Sequence, residues 1–513
     1  FSDNNPALHS VRASIYDTII LSNDRNYITL VNLQLQGGNE ANLDLNGTST
    51  GCMVLYCDLN YSGTFGAYIG NVSNFLFSHN TVSNSLSKGI LVGNCTNPVF
   101  EFNTISKTGM FIGMNRLYYP YTGFETNGGN GMIIRYNTVD SSGYHGIFPR
   151  GSNNIIEKNL VTNFGLTLDD CGGIYIPTEQ TGNKVLNNII LYGIGNSSGT
   201  NYTDSHAEGI YLDEVSANTY LEGNTIAHCG SSGIRYHNAY NITARNNTMY
   251  DNQYNVHIIK SNSNSSYSRN LTFRGNKMVA KTATQYTFRI YNYISDNPLL
   301  FGTADSNYYC RPIAEGSTIQ TRNVSTILNY DLSTWVTSSV NDLHSNKSPF
   351  AITNKDEILF EYNASANNKL IPLIGTYFGV DNTIYTGSII LLPYTSIILF
   401  KDINSIANHN PVIQNQNLQH NENSPLGTTV GTVVASDPDA GQTKTFSIVS
   451  GNTNGAFAIN ASTGAITVAS SAALNFETTP SFPLVIKVQD NGSPSLSSQA
   501  TVTISLTDVN ELP

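Results

Sequence analysis

The sequence predicts an all-β protein. A right-handed parallel β-helix spans residues 1–300, the end of that solenoid with a small antiparallel β-sandwich spans 301–405, and a second β-sandwich spans 406–513. Three observations carry this reading. Only 12% of the 513 residues are charged, while Asn, Ser, Thr, Gly and Tyr abound, a composition of short strands and turns rather than helices. A strand ending in Asn recurs through the first half, most tightly every 22 to 23 residues. Beyond about residue 300 that repeat fades into alternating apolar strands between Gly, Pro and Asn turns.

The recurring strand reads VNLQL, FSHNTV, FEFNTI, IRYNTV, IEKNLV, LNNII, LEGNTI, ARNNTM and FRGNKM, aligning Asn32, Asn80, Asn103, Asn137, Asn159, Asn188, Asn224, Asn247 and Asn276, with Asp58 at the missing step. A parallel β-helix sets each copy about 4.8 Å above the last, so equal residues stack into ladders. The Asn column then belongs at an internal turn where amides bond one another. A second strand, GILVG, GIFPR, GIYIP, GIYLD, GIRYH and NVHII, places Ile90, Ile147, Ile174, Ile210, Ile234 and Val256 in an inward stack. Alternation turns Phe148, Tyr175, Tyr211, Arg235 and His257 outward, followed by Arg150, Pro177, Asp213, His237 and Ile259. Solvent-facing ladders are ordinarily Thr, Ser, Asn and Lys, so Tyr, Arg, Asp and His on one face mark a candidate site.

Four intervals are stretched: 34 residues from Asn103 to Asn137, 29 from Asn159 to Asn188, 36 from Asn188 to Asn224 and 29 from Asn247 to Asn276. The surplus must leave as loops. The first, 116–130, carries Arg116, Tyr118, Tyr119, Tyr121, Phe124 and Glu125, which suit sugar stacking or simply pack the loop down. Aligning the next two rungs on GIY sets Asp170 beside His206 and Gly172 beside Glu208, with His145 one rung beyond Gly172. Asp169, Asp170, His206, Glu208, Asp213, Glu214, Arg235 and His237 thus converge within three rungs, a span of about 10 Å. Crowded carboxylates cannot all ionise normally, so one is expected to be raised and able to donate a proton, as glycosidic cleavage needs. A structural His–Asp pair or a calcium-binding loop are the plainer alternatives.

DDCGGIYIP followed by HAEGIYLDE and GIRYHN resembles bacterial β-helical carbohydrate-active enzymes, closest to the glycoside hydrolase group of α-L-fucosidases and xylanases and to β-helical endo-fucanases. The resemblance implies Asp170 and Asp213 as the catalytic carboxylates, with Glu208 in reserve and His237 orienting Asp213 or carrying a proton. Gly173 stands where the group has Ala and Glu214 where it has Asp. Arg116, His145, Arg150, Tyr175, His206, Tyr211 and Arg235 become candidate substrate contacts, the arginines for sulfate or carboxylate groups of an acidic polysaccharide such as fucan. The expected protein is a secreted or bacterial cell-surface, monomeric glycoside hydrolase needing no cofactor for catalysis. A polysaccharide lyase using Arg235, His237 or Tyr211 as base, or a non-catalytic glycan-binding adhesin, is the alternative.

In the second half, residues 345–402 resemble the small β-sandwich that closes many bacterial glycosidases, expected to cap the solenoid's open end. NENSPLGTTVGTVVASDPDAG, FAINASTGAITVAS, LNFETT, VQDNGSPSLSS and ISLTDVNE resemble a cadherin repeat, implying Glu422, Asp437, Asp439, Glu477, Asp490 and Asp508 as calcium ligands. A net charge of −11 and a pI near 5.3 exclude nucleic acid as an expected partner. No run of some twenty apolar residues spans a bilayer. The start at Phe1, with no charged or apolar leader, is expected to follow removal of an export signal. Six scattered cysteines without a CxxC pair read as isolated buried thiols.

Overall fold

The computed structural model describes residues 15–114, 119–177, 180–198, 200, 203–264, 266–402, 408–439, 441–492 and 494–510. The chain divides into two compact units, Phe1–Asp402 and Ile403–Pro513. In the first, the chain visits three sheets in turn, coil after coil. The sheets hold 13, 11 and 12 strands, and neighbours are three strands apart in the chain except for the last pair of the first sheet. Pairing between coils is parallel throughout, until Thr326–Tyr330 folds back antiparallel on Ile319–Asn323.

Inside the coils the expected aliphatic stack is complete and longer than its six members. Leu43, Ala67, Ile90, Phe124, Ile147, Ile174, Ile210, Ile234, Val256, Phe288 and Ile319 follow one another in register, all essentially inaccessible. Phe124 and Glu125 therefore belong to a strand, Phe124–Thr126, and not to the loop the sequence suggested. Gly89, Gly146, Gly173, Gly209 and Gly233, each just before a stacked Ile, have no room for a side chain. A Cβ on Gly173 would lie 2.4 Å from Ile190 Cγ2 and 2.9 Å from the Gly209 carbonyl oxygen, so only glycine fits.

The Asn column runs between the second and third sheets from Asn80 through Asn103, Asn137, Asn159, Asn188, Asn224, Asn247 and Asn276 to Asn307. Each backbone N–H and each Nδ2 donates to the Oδ1 of the next Asn at 2.9–3.1 Å. Nδ2 also donates backwards to a strand carbonyl, as from Asn188 to Ile156 at 2.8 Å. The first two members of the expected column are one residue out of register. Cys57, not Asp58, donates its N–H to Asn80 Oδ1, while Asp58 pairs with Thr81. The last amide, Asn307, donates to Asp342 Oδ1 at 3.1 Å, so a carboxylate ends the chain of amides.

Coils continue to Asn346–Lys347, beyond the fading of the sequence pattern near residue 300. The open end is covered not by the small sandwich but by the helix Leu332–Ser339, capped at Asp331, whose carboxylate accepts the Thr334 N–H. Its Trp335 is fully buried against Phe288, Phe301 and Tyr330 and donates to Asp342 Oδ2 at 2.8 Å. The antiparallel strands between Ile358 and Asp402 instead lie along the flank. There Ile352, Ile358, Val380, Ile398 and Phe400 pack on Ile189, Leu191, Ala227, Tyr250, Val279 and Cys310, the outward side chains of successive third-sheet strands. A lone sheet face this apolar must be covered, and the sandwich covers it. All six cysteines are free and buried.

The second unit is a sandwich of a four-stranded sheet, in which Gln416–Asn421 pairs parallel with Ser497–Thr507, and a three-stranded sheet. Its core gathers Phe446, Phe457, Ile466, Phe482, Leu484, Ile486, Val502 and Ile504.

Asn188→Ala removes two Nδ2 donations and leaves two donors of Asn159 without an acceptor, and is expected to destabilise the first unit by about 3 kcal/mol. Trp335 is the chain's single tryptophan, so its fluorescence during denaturation reports that unit alone. An unchanged midpoint would show that the amide ladder does not hold the coils.

Candidate active site

The loops that carry the surplus residues flank first-sheet strands and converge on one face. Strands Cys171–Ile176 and Ala207–Leu212 pair as expected, with Gly172 against Glu208 and Tyr175 against Tyr211. Just past the second strand the chain turns sharply. Glu214 has φ +33° and Val215 φ +70°, a left-handed conformation that is strained for a β-branched residue. The Ser216 hydroxyl holds the turn by donating to the Ile176 and Asp213 carbonyls. Nothing in the sequence pattern signalled that strain.

This turn fixes Asp213. Its Oδ1 accepts the Glu214 N–H at 2.9 Å and meets His237 Nδ1 at 2.7 Å, and its Oδ2 accepts the Tyr175 hydroxyl at 2.8 Å. Because an ionised carboxylate only accepts, His237 carries its proton on Nδ1, and its Nε2 bonds Ser261 Oγ at 2.8 Å. Burial alone would raise the Asp213 pKa, but the hydrogen bonds from His237, Tyr175 and Tyr211 outweigh it and hold the carboxyl below its ordinary 3.8.

Asp170 is the opposite case. It begins its strand in a left-handed turn, φ +54°, is exposed at the lip of the groove, and makes no hydrogen bond through its carboxylate to any described residue. Loss of water on its protein side raises its pKa above 3.8, Arg235 opposes, and the charges of Asp213 and Glu208 add to the rise. Solvent on the open side keeps that effect modest. The two carboxyls thus sit in each other's field with their pKa values pushed apart.

Several expected contacts are buried instead. Glu208 is wholly inaccessible. Its Oε2 accepts the Ser232 N–H at 2.6 Å and its Oε1 the Arg235 guanidinium at 2.8 Å, so it anchors Arg235 and cannot reach a substrate. His145 is likewise enclosed, stacked on Tyr175 at 4.2 Å, with Nδ1 accepting the Gly172 N–H. Desolvation drives its pKa far down, so it is neutral and structural. Phe148, Tyr175 and Tyr211 face outward from the coils as expected, yet with Tyr119 they form a second small core. His257 and Ile259 are buried as well. Neighbouring coils do the covering: Ser232 and Arg235 close over Glu208, and the rings of Phe148, Tyr175 and Tyr211 cover one another, with the loop residue Tyr119 packed against them. Tyr121 is buried too, its hydroxyl accepting the Gly113 N–H.

Arg150 lies over the Tyr119 and Phe148 rings at 4.8 and 4.4 Å. Arg116 and Tyr118 lie outside the described residues. Asp170 does stand beside His206, one position before the Cys171–Ala207 pair, but the imidazole pairs with Asp169, whose Oδ1 also accepts the His206 N–H at 2.7 Å. Sequence reasoning missed one buried ion pair nearby, Lys88–Glu125 at 2.5 Å, since the excursion in the chain hid their register. Asp213, Glu214 and His237 also offer three ligand atoms within 4.8 Å of one another.

In the second unit the six acids separate into two groups. Glu422, Glu477 and Asp508 bring ligand atoms within 4.8 Å. Asp437, Asp439 and Asp490 gather elsewhere: Asp437 Oδ1 accepts the Asp439 N–H, Asp439 pairs with His409, and Asp490 Oδ2 accepts the Asn408 amide. Asp437 Oδ2 is buried without a partner among the described residues, and Glu422 accepts the Phe476 and Val509 N–H groups. Hard-oxygen sets of this kind fit calcium.

No helix among the described residues is long and apolar enough to cross a membrane. The family described as right-handed beta helix region matches residues 17–190 and 122–299, together more than half of the chain, and the cadherin domain family matches 416–507. Similar curated proteins include protocadherin Fat 4 of Mus musculus, 39% identical over 119 residues, which are 22% of this chain and 2% of that protein. Protocadherin Fat 2 of Rattus norvegicus is 43% identical over 94 residues, 18% of this chain and 2% of that one. The chain thus spans a small part of the curated relatives it matches. Among solved structures, the human desmocollin-1 ectodomain is 26% identical, with 26% of each chain covered and a TM-score of 0.19. The chain belongs to the right-handed β-helix family and carries a cadherin domain at its C-terminal end.

Proposed function

We propose that this chain is a secreted glycoside hydrolase that cleaves an acidic polysaccharide, such as a sulfated fucan, on the groove face of its β-helix. The observation that supports this best is the pair Asp170 and Asp213, on neighbouring coils, with oppositely shifted pKa values. Asp170, in its protonated form and with no hydrogen-bond partner for its carboxyl among the described residues, gives its proton to the glycosidic oxygen that leaves. Asp213, held ionised by Tyr175 and His237, either attacks the anomeric carbon or takes a proton from the water that does. Glu208 and His237 act as positioning residues, the first through Arg235 and the second through Asp213. Of the three bases weighed for a lyase, Tyr211 is buried with a strongly raised pKa, Arg235 is held charged by Glu208, and His237 turns Nδ1 to Asp213 and Nε2 to Ser261.

Asp170→Asn and Asp213→Asn should each lower the release of reducing ends from sulfated fucan or uronate polysaccharides roughly 10³-fold or more. Product with ultraviolet-absorbing unsaturated ends would point to a lyase, and cleavage unchanged in both variants would remove these residues from the reaction. Activity needs Asp213 ionised and Asp170 protonated. The rate should therefore fall on the acid side through the depressed pKa of Asp213, below 3.8, and on the alkaline side through the raised pKa of Asp170, above 3.8. A rate flat across that range overturns the assignment.

The acids of the cadherin domain support calcium as its ligand, with Glu422, Glu477 and Asp508 as one set of oxygens. Calcium should raise the melting temperature of that domain in the full chain, and Glu477→Gln with Asp508→Asn should remove the rise. Identical melting with calcium and with a chelator would reject this set.

A further inference from the structure

Beyond Asp213 the outward column of the first sheet changes character. After Tyr211 it continues as Arg235, His257 and Arg289, paired in register on three successive coils. Each of these side chains holds a buried nitrogen that has no hydrogen-bond partner among the described residues: Arg235 Nε, His257 Nε2 and Arg289 Nε. Buried donors are almost always satisfied, so three in one column leave room for an acceptor that the described residues do not supply. All three line a concavity of about 560 Å³, together with His206, Tyr254 and Asp204.

The charges in this hollow leave one cation unmatched. Arg235 is neutralised by Glu208, and His206 faces Asp169. Arg289 pairs with no carboxylate among the described residues. Its guanidinium is instead held over the rings of Tyr254 and Tyr291, at 4.0 and 3.5 Å, which fixes its plane while its donors stay available. The one acid on the lining, Asp204, is exposed at the rim. His257 meets Ser232 Oγ through Nδ1 at 3.5 Å, and when the hydroxyl donates that bond the neutral ring carries its proton on Nε2. Coils about 4.8 Å apart let one planar or tetrahedral oxyanion bridge two neighbouring donors.

We propose that Arg235, His257 and Arg289 form an oxyanion subsite, which takes a carboxylate or sulfate group of the polysaccharide one to three coils beyond Asp213. Its part in positioning substrate rests on the hydrolase reading, whereas its binding of an anion does not. The subsite sets a sugar bearing the charged substituent at a fixed distance from the bond to be cut.

Calorimetric titration of the full-length Asp170→Asn chain, which binds without turnover, tests this with sulfated fucan oligosaccharides, oligogalacturonates and neutral xylo-oligosaccharides. At least one anionic series should bind about tenfold or more tightly than the neutral one, and the two anionic arms tell sulfate from carboxylate. Adding Arg289→Gln or His257→Phe should erase that margin, whereas Arg289→Lys should keep part of it; melting curves confirm that each variant is folded. Inorganic sulfate should compete with the anionic ligands. Equal affinity for neutral and anionic ligands, or a full margin in both folded Arg289→Gln and His257→Phe, overturns the subsite. If anionic oligosaccharides bind but no polysaccharide yields reducing ends in the wild-type chain, the hydrolase reading falls and the subsite stands.

Discussion

The amide column from Asn80 to Asn307 is the interaction on which the rest of the first unit depends. A parallel solenoid has no local hairpin to set its register, so each coil must be told where to lie on the last. Here every asparagine before the last does so twice, with its backbone N–H and its Nδ2 sharing one acceptor on the next coil. The column is directional and cannot end on a donor without cost. Asp342 resolves this by taking the last amide together with the Trp335 indole and the Tyr309 hydroxyl. One buried carboxylate thus joins the ladder to the helix that closes the coil stack.

Much of this architecture could be read from the chain because stacking turns geometry into repetition. Asn137, Asn159 and Asn188 recur in near-identical words, and Ile147, Ile174 and Ile210 hold one position on consecutive coils. Where the words change, legibility fails. Cys57 replaces Asn at the first step and shifts the apparent register, and the closing helix around Trp335 shares nothing with the repeat. The sandwich resembles a lid in sequence, yet it lies along the flank, because only the coordinates show that Leu191, Tyr250 and Cys310 form one apolar strip.

For the site, period-two alternation placed Tyr175, Tyr211, Arg235 and Asp213 on the outer face, and that direction holds. Accessibility is a different matter, since it depends on what the neighbouring coils and loops cover. Tyr175 and Glu208 face away from the core, and both are covered. The groove is therefore electrically uneven along its length: aromatic rings and acids around Asp213, then guanidinium and imidazole groups beyond it. An overall charge of −11 conceals this gradient, because recognition answers to the local field.

Ladder asparagines stand from 22 to 36 residues apart between Asn80 and Asn276, yet their hydrogen bonds stay within 2.9–3.1 Å. The surplus is looped out beside first-sheet strands, and the amide spine does not register it. Such a protein can diversify by lengthening or shortening one loop at a time, remodelling the cleft's walls while its backbone scaffold goes untouched. Selectivity for a new polymer would then arise through insertion and deletion more readily than through replacement of side chains already locked beneath those walls.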